Sequence, residues 1–171
     1  MSGRFRHISV DITANRLAGI RLLILMLVLI LVLSVSAIEA SKDQTLFLQG
    51  RLLYEEDKYA EAQALFEQAV AINPIDSEYH RWLGKSYGRK AEGSGWLTAL
   101  KYATKALDSF ETAVALDDHN ALAMRDLLEF YVAAPRIIGG GMDKARPLAK
   151  RLLALDPSFS EEVQELLDEG E

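Results

Sequence analysis

Apolar residues recur with a helical period along most of the chain. In the segment 47–54 they fall at positions i, i+3, i+6 and i+7, which describes one face of a helix, and they are Phe47, Gly50, Leu53 and Tyr54. The pattern stops at Asp57-Lys58 and resumes from Tyr59 to Ala69. Asn73-Pro74 ends the second segment, because the residue before a proline is pushed out of the helical region. The pattern predicts two antiparallel helices joined by a short turn.

The alternation of helix and turn continues to the C-terminus. We predict a turn at Gly93-Ser94-Gly95, a long helix from Trp96 to Leu116 and a loop over residues 134–141. The final segment, residues 159–167, carries its apolar side chains on one face and acidic side chains on the other. One apolar face suits a helix that covers the last hairpin and leaves its other side in water.

Two stretches of the chain match each other at a fixed spacing. Gly50 recurs as Gly84, and Leu53 recurs as Tyr87, in each case 34 residues later. The surrounding pattern resembles the tetratricopeptide repeat, whose signature combines W-x2-L-G-x2-Y, A-x3-F and P on a 34-residue period. The motifs that carry the resemblance are Leu83-Gly84-x-x-Tyr87, Ala62-x-x-x-Phe66-x-x-Ala69 with Pro74, and Ala106-x-x-x-Phe110-x-x-Ala113.

The resemblance implies an all-α fold, a tetratricopeptide-like α-solenoid of about three helix-turn-helix repeats. We expect residues 41–171 to form this domain, and a hydrophobic N-terminal helix to precede it. The predicted units are repeats over about 43–76, 77–120 with an insertion and 121–158 with an insertion, then a C-terminal capping helix over 159–171. A solenoid of this kind makes a binding surface for other molecules.

The N-terminus reads as a targeting segment. Four arginines precede an unbroken apolar run from Leu22 to Leu33, and small residues follow it. One interpretation is a signal peptide cleaved near Ala37 or Ala40. The other is an uncleaved signal anchor, since residues 22–38 carry no charge and approach the length of a membrane span. Either way we expect the downstream domain to be exported, periplasmic or otherwise extracytoplasmic, and either soluble or anchored to the membrane by one helix.

Charge separates the two parts of the chain. Residues 1–40 hold four arginines and two acidic residues, so residues 41–171 carry −8 of a total formal charge of −6. An acidic domain is a poor ligand for nucleic acid, whose phosphates require a basic surface. The chain has no cysteine, so its stability does not depend on disulfides.

The sequence offers little that is typical of catalysis. Its three histidines, His7, His80 and His119, are far apart and have no metal-ligand spacing. The glycine-rich stretches 88–95 and 139–141 lack the Lys-Ser/Thr that follows a phosphate-binding loop. We therefore predict no catalytic residues, no metal, no cofactor and no enzymatic activity.

The resemblance also implies a groove lined by the first helix of each repeat. By register, six side chains are candidates for that surface: Phe47, Arg51, Tyr54, Arg81, Lys85 and Arg125. Arginines on a rigid face suit carboxylates, which leads to the hypothesis that the groove binds an acidic or C-terminal peptide segment of an envelope protein. The alternative is ordinary helix-surface charge, partly paired with Glu78 and Glu129.

These inferences favour an exported, noncatalytic scaffold or adaptor of the cell envelope that binds a protein or peptide. Two other functions stay open. The chain could self-assemble into a homo-oligomer through an apolar lip at Trp96, Leu97 and Leu100. It could also bind a small ligand as an accessory protein of a transport system, if the insertions roof the groove. The sequence does not identify the partner.

Overall fold

A computed structural model describes the backbone of residues 6–170 and the side chains of residues 19–30 and 42–170. The described backbone is almost entirely helical, and no strand occurs in it. The helices are α1 (Arg6–Glu55), α2 (Tyr59–Ile72), α3 (Ser77–Glu92), α4 (Trp96–Leu116), α5 (Ala121–Ala133), α6 (Met142–Leu155) and α7 (Ser160–Glu169). The predicted turn at 93–95 and the predicted helix Trp96–Leu116 are confirmed. The chain divides into two compact units, residues 1–41 and 42–171.

The first unit consists of the N-terminal part of α1. Its described side chains, residues 19–30, include exposed leucines and isoleucines. Residues 1–18 and 31–41, which hold three of the arginines and the small residues after the apolar run, lie outside the described side chains, so the signal peptide and the signal anchor both stay predictions. In the described part of the chain, no helix combines the length and apolar character needed to cross a membrane.

The second unit is a stack of helical hairpins. Residues 42–55 of α1 pair with α2, α3 pairs with α4, and α5 pairs with α6, while α7 packs on α5 and α6. Neighbouring hairpins share one continuous apolar core. Its fully buried members include Phe66, Met124, Leu128, Leu152 and Val163. This is the predicted solenoid architecture of three hairpins and a C-terminal helix.

Two glycines allow close approach within the first two hairpins. A Cβ atom built on Gly50 would lie 2.7 Å from the ring of Phe66, and one on Gly84 would lie 2.7 Å from the ring of Phe110. Both distances are far below van der Waals contact, so only glycine fits. The recurrence of Gly50 at Gly84 therefore reflects the same helix-to-helix contact made twice.

Polar side chains fix the turns between hairpins. Asp76 caps α3 by accepting a hydrogen bond from the backbone N–H of Tyr79, and Asn120 caps α5 by accepting one from Ala123. The amide of Asn120 also donates to Ser77 Oγ and to Glu78 Oε1, both at 2.9 Å. The second turn is thereby tied to the start of α3, which sets the spacing of the helices that line the candidate site.

Candidate functional site

A groove lies along the side of the second unit that is formed by the first helices of the hairpins. It encloses about 510 Å³. Residues from α1, α3, α4 and α5 line it: Tyr54, Glu55, Lys85, Gly88, Arg89, Glu92, Phe110, Arg125, Asp126, Glu129, Phe130 and Ala133. The lining mixes aromatic surface with charges of both signs, and no residue of the 134–141 loop contributes to it. The structure therefore does not place that insertion over the groove as a roof.

An aromatic cluster joins α1 to α3 beneath the groove. Phe47 packs with its ring centroid 4.7 Å from that of Tyr79 and 5.9 Å from that of Phe66. Tyr54 meets the ring of Trp82 edge-on, with centroids 5.3 Å apart. Aromatic pairs at these distances stabilise beyond their buried area. Phe47 is buried, so it belongs to the core, and its predicted place on the binding surface is not what the structure shows.

Three cations surround the ring of Trp82. The guanidinium carbons of Arg51 and Arg81 lie 4.8 Å and 5.1 Å from its centroid, and the Nζ of Lys85 lies 4.4 Å from it. Cation–π contacts of this length are favourable because the ring face is negative. Trp82 thus contacts three of the four cations that were predicted to line the groove, and Arg125 is not among them.

Arg81 is not available to a ligand. Its side chain is 7% exposed, and its Nη1 donates to Asp126 Oδ2 at 2.9 Å. Its Nε and Nη2 donate to the two carboxylate oxygens of Glu78 at 2.8 Å and 2.9 Å. Burial would raise the pKa of Glu78, but the hydrogen bonds from Arg81 and Asn120 outweigh it and lower that pKa. Arg81 is an internal ion-pair residue because its charge is fully matched.

Arg125 lies among three carboxylates. Its Nη1 donates to Asp126 Oδ1 at 2.8 Å and to Glu129 Oε2 at 3.0 Å. Its Nε lies 2.8 Å from Glu162 Oε1, an ion pair whose angle falls outside hydrogen-bond geometry. The predicted alternative, that charges on these helices pair with Glu78 and Glu129, is thus what the structure shows for Arg81 and Arg125.

Lys85 differs from both arginines. It is half-buried in the groove, and no carboxylate among the described side chains lies within 4.0 Å of its Nζ. The ammonium instead lies over two rings, Trp82 and, at 5.5 Å, Tyr54. Burial lowers the pKa of Lys85, and the charge of Asp126 partly offsets that effect. Burial also raises the pKa of Tyr54 to about 12, so its hydroxyl stays protonated near neutral pH.

The remaining predicted residues divide between exposed and partly buried positions. Arg51 is exposed and does not line the groove, although it lies over Trp82. In the predicted lip, Trp96 is 75% exposed and Leu97 is 65% exposed, whereas Leu100 is half-buried. The structure thus brings Tyr54, Lys85 and Arg125 together at the groove and leaves Trp96 and Leu97 on a separate surface.

A second cleft of about 590 Å³ lies between α4 and α6. Its lining includes Val114, Leu127 and Leu148, together with the charged side chains Lys144 and Arg151.

Elsewhere, an exposed turn brings ligand atoms of Asp117, Asp118 and His119 within 4.8 Å of one another. All three side chains are exposed, and the Nδ1 of His119 already faces Asp118 at 2.6 Å. Such exposed acidic groups commonly bind only water, so neither feature changes the assignment of the groove.

Comparisons with known proteins agree with this geometry. Residues 44–76 match the profile of the family described as Tetratricopeptide repeat. This stretch of the chain is similar to one tetratricopeptide repeat. The matched residues form the first hairpin, from the last turns of α1 through α2 to the turn before α3.

The whole second unit has the fold of tetratricopeptide domains. The Arabidopsis OM64 TPR domain superposes with a TM-score of 0.60 at 14% identity, covering 76% of this chain and 97% of that one. The first TPR of Spaghetti (RPAP3), solved bound to the HSP90 peptide SRMEEVD, gives 0.58 at 19% identity, covering 74% and 93%. A chain of the CopN-Scc3 complex gives 0.55 at 18% identity, covering 74% and 67%.

One curated relative matches by sequence. Superkiller complex protein 3 of Mus musculus is 29% identical over 114 residues, which are 67% of this chain. The match spans only 7% of that protein's length. The likeness therefore concerns a small part of a much longer protein.

Two residues that the sequence reasoning did not select shape the groove. Trp82 gathers the three cations, and Asp126 matches the charge of two arginines. A signal for Asp126 existed, because it is a lone carboxylate among the buried apolar residues of α5. Its partner Arg81 is 45 residues away in sequence. A carboxylate on a buried face implies a cationic partner without saying which one.

Proposed function

We propose that this protein is a noncatalytic scaffold that binds a peptide segment of another protein in the groove. The observation that carries the proposal is the groove itself, where Lys85 makes no ion pair within 4.0 Å with a described carboxylate, although the charges of Asp126 and Glu55 act on it. Tyr54 and Phe130 provide apolar surface beside it. A peptide needs this combination, since apolar side chains supply affinity and a fixed charge supplies orientation.

The comparisons support a peptide ligand at the level of the fold. The RPAP3 domain of similar fold is bound to a peptide in its solved structure. The proposed partner is thus a protein that presents a short segment, acidic or C-terminal, to the groove.

We also propose that the protein works in the cell envelope. The support is the sequence alone: arginines ahead of an apolar run, followed by small residues at 34–40. Sequencing the N-terminus of the mature protein tests this proposal. A new N-terminus near residue 38 or 41 supports a cleaved signal, and an intact N-terminus with membrane fractionation supports an anchor. An intact N-terminus in the soluble fraction contradicts both.

Blocking the groove tests the peptide-binding proposal. Gly88 lines the groove, and a Cβ atom placed on it meets nothing within 4 Å. Gly88→Leu therefore fills the groove without a clash, and replacing a glycine inside α3 favours the helix. We expect the variant to melt no lower than the wild type and to lose partners that crosslink to the full chain in its own cells, identified by mass spectrometry.

Gly95→Leu is the matched control. Gly95 lies at the exposed start of α4, a Cβ there also meets nothing within 4 Å, and it does not line the groove. This variant should capture the same partners as the wild type. Equal capture by Gly88→Leu and the wild type would show that partners bind elsewhere and would overturn the proposal.

Self-association is a second candidate function, favoured by the lip. Trp96 and Leu97 place two large apolar side chains in water at the start of α4, an arrangement typical of contact surfaces. Light scattering of the full chain in detergent measures the mass of the particle. A mass above one copy that falls after Trp96→Ala with Leu97→Ala supports this function, and a single copy excludes it.

A further inference from the structure

A cluster of lysines lies beside the lip and outside the groove. The Nζ atoms of Lys90 on α3 and Lys101 on α4 lie 4.5 Å and 5.9 Å from the ring centroid of Tyr102. One turn further along α4, the Nζ of Lys105 lies 4.9 Å from the ring centroid of Tyr87. The rings of the two tyrosines are neighbours, with centroids 6.0 Å apart. We call Lys90, Lys101 and Lys105 the lysine cluster.

Ion pairs do not neutralise the lysine cluster. Among the described side chains, no carboxylate lies within 4.0 Å of any of its three ammonium groups. The charges of Lys90 and Lys105 act on Glu67, but the carboxylate of Glu67 accepts a hydrogen bond from Tyr87. A hydrogen bond from Lys90, together with the charges of all three lysines, lowers the pKa of Tyr102. The positive potentials of the cluster therefore add at one place on the surface.

The charge of this part of the chain is opposite to that of the domain as a whole. Residues 89–105 hold four cations and one carboxylate, a formal charge of +3, within a domain that carries −8. Salt screens exposed charges that are more than about 10 Å apart. An anionic surface that approaches the lysine cluster therefore meets the local positive charge, while the acidic remainder of the domain disfavours contact through other faces.

The lip continues the lysine cluster along α4. Leu97, Lys101 and Lys105 are spaced four residues apart, so they form one row on the helix surface. Trp96 is 75% exposed and Leu97 is 65% exposed. Leu97 lies about 6 Å beyond Lys101 along the helix axis, which matches the depth of about 5–10 Å at which interfacial helices bury their apolar side chains. Apolar side chains ahead of a row of cations suit a lipid surface, whose phosphates lie above its acyl chains.

Phospholipid fits this surface better than a second copy of the chain or a soluble phosphate does. Two lips in contact would bring Lys101 close to its own counterpart, and like charges repel. A soluble phosphate would use the lysines but would leave Trp96 and Leu97 in water. A phospholipid offers both an anionic headgroup and apolar chains, so it satisfies the two halves of the surface at once.

We propose that the lip and the lysine cluster form a membrane-contact site for anionic phospholipid. Trp96 and Leu97 enter the boundary of the acyl chains, and the lysine cluster binds the headgroup phosphates. The site takes phosphate-bearing anionic lipids as a class, because a lysine presents a point charge without planar geometry. None of these residues lines the groove, so the site is independent of the proposed peptide binding.

The fluorescence of Trp96 reports this contact directly. The chain has two tryptophans, and the other one, Trp82, is only 5% exposed. The full chain is mixed with vesicles of phosphatidylcholine alone, or with vesicles in which about a third of the lipid is phosphatidylglycerol. Vesicle-bound protein is isolated by flotation, so that the signal does not depend on how much chain binds through its apolar N-terminal segment. Brominated acyl chains quench a tryptophan that touches them, and Trp96→Phe supplies the background from Trp82.

The wild type should show more quenching of Trp96 in the anionic vesicles. The ratio of lipid-inserted to water-exposed Trp96 should rise about fivefold for each lysine that reaches a phosphate. The cluster variant replaces all three lysines with glutamine and should lose the difference between the two kinds of vesicle. The control variant removes three exposed lysines elsewhere in the domain and should keep it. Its substitutions are Lys58→Gln, Lys144→Gln and Lys150→Gln.

Four results would overturn the inference. Equal quenching in both kinds of vesicle, or unchanged quenching in the cluster variant, would show that the lysines bind no phosphate. Loss of the difference in the control variant would show that the total charge matters and the cluster does not. Absence of quenching in both kinds of vesicle would leave no membrane contact at the lip. A blue shift of Trp96 that grows with protein concentration, without brominated lipid, would instead place a second copy over the lip.

Discussion

The second and third hairpins carry residues of opposite size at the same two register positions. In the second, Leu83-Gly84-x-x-Tyr87 on α3 faces Phe110 on α4, and the glycine makes room for the ring. In the third, the corresponding register reads Leu127-Leu128-x-x-Tyr131 on α5, and the position of Phe110 is taken by Ala149 on α6. Leu128 is fully buried and Ala149 nearly so. A small-large pair has become a large-small pair.

The comparison shows that packing constrains the pair as a unit. Close-packed interiors accept a change in one side chain when a neighbour compensates its volume. The tetratricopeptide signature names the glycine and the phenylalanine separately, so the third hairpin resembles it weakly although it has the same architecture. The family match, which covers residues 44–76, falls on a hairpin that keeps both signature residues, Gly50 and Phe66.

The second and third hairpins both keep a tyrosine–glutamate hydrogen bond to the preceding hairpin, although the residue sizes of their core pairs are reversed. The hydroxyl of Tyr87 donates to Glu67 at 2.7 Å, and that of Tyr131 donates to Glu111 at 2.8 Å. A lysine lies over each ring, Lys105 over the first at 4.9 Å and Lys144 over the second at 5.1 Å. Each tyrosine thus ties its own hairpin to the second helix of the preceding one.

The largest expected effect comes from changing the size of only one member of the Gly84–Phe110 pair in the second hairpin. Phe110→Ala should lower the free energy of unfolding by about 3–5 kcal/mol because it leaves a cavity. Gly84→Leu should cost about 3 kcal/mol because the new side chain overlaps the ring. The double variant reproduces the arrangement of the third hairpin and should cost less than about 1.5 kcal/mol. Urea unfolding of the four proteins measures all three values.

The coupling between the two substitutions is the decisive quantity. Additive costs, which would leave the double variant less stable than either single variant, would show that residue sizes at positions 84 and 110 do not compensate each other. Phe66→Ala provides a comparison in the first hairpin, where we also expect a loss of about 3–5 kcal/mol.

The next largest expected effect comes from the buried ion pair that joins the second and third hairpins. Arg81 on α3 and Asp126 on α5 form a buried ion pair, and removing one partner leaves an unmatched buried charge. Arg81→Ala should therefore cost about 3–5 kcal/mol in urea unfolding. Arg89→Ala breaks the exposed pair with Glu92 on the same helix and should cost less than about 1 kcal/mol. Similar costs for both variants would mean that burial of the Arg81 pair has no energetic consequence.

A smaller effect should be equal in the two hairpins. Tyr87→Phe and Tyr131→Phe each remove one hydroxyl that donates to a glutamate, and each should cost about 1 kcal/mol. The equality matters more than the value, because it separates the retained polar contact from the exchanged core pair. Thermal melts of both variants compare them directly. Clearly different costs would show that the two contacts are not equivalent.

The smallest expected effect is a pH dependence of stability that arises in the second hairpin and has no counterpart in the third. Hydrogen bonds from Arg81 and Asn120 overcome the effect of burial and lower the pKa of Glu78 below its ordinary 4.5. A depressed carboxylate pKa stabilises the fold above the unfolded value, and the contribution is lost as the pH falls through the folded value. The stability difference between the wild type and Glu78→Gln should shrink between about pH 6 and about pH 3.

The third hairpin provides the control for this titration. Leu122 stands at the register position of Glu78, is partly exposed and cannot titrate. The difference between the wild type and Leu122→Gln should therefore stay constant over the same pH range. A constant difference for Glu78→Gln as well would mean that its pKa is not depressed by folding.

Local features of the fold could be predicted from the sequence because they depend on short spacings. The turn at 93–95 and the helix Trp96–Leu116 are set by glycine and by a periodic apolar face within about twenty residues. The groove was implied by the resemblance to tetratricopeptide repeats, and three of the six residues selected through it, Tyr54, Lys85 and Arg125, line the groove of the structure. The register could not show burial, so Phe47 and Arg81 were assigned to a surface that they do not reach.

The sequence by itself determined the helical hairpins and the glycine–phenylalanine contact, since each follows from periodicity within one hairpin. The resemblance to tetratricopeptide repeats implied the helices on which the groove cations lie. Only the tertiary structure decided which of those cations form ion pairs. Arg81 and Asp126 meet across 45 residues, and Arg125 meets Glu162 from the last helix, so their neutralisation depends on how hairpins stack. Charge pairing is set by distances of a few ångströms, and those distances exist only after the helices have packed.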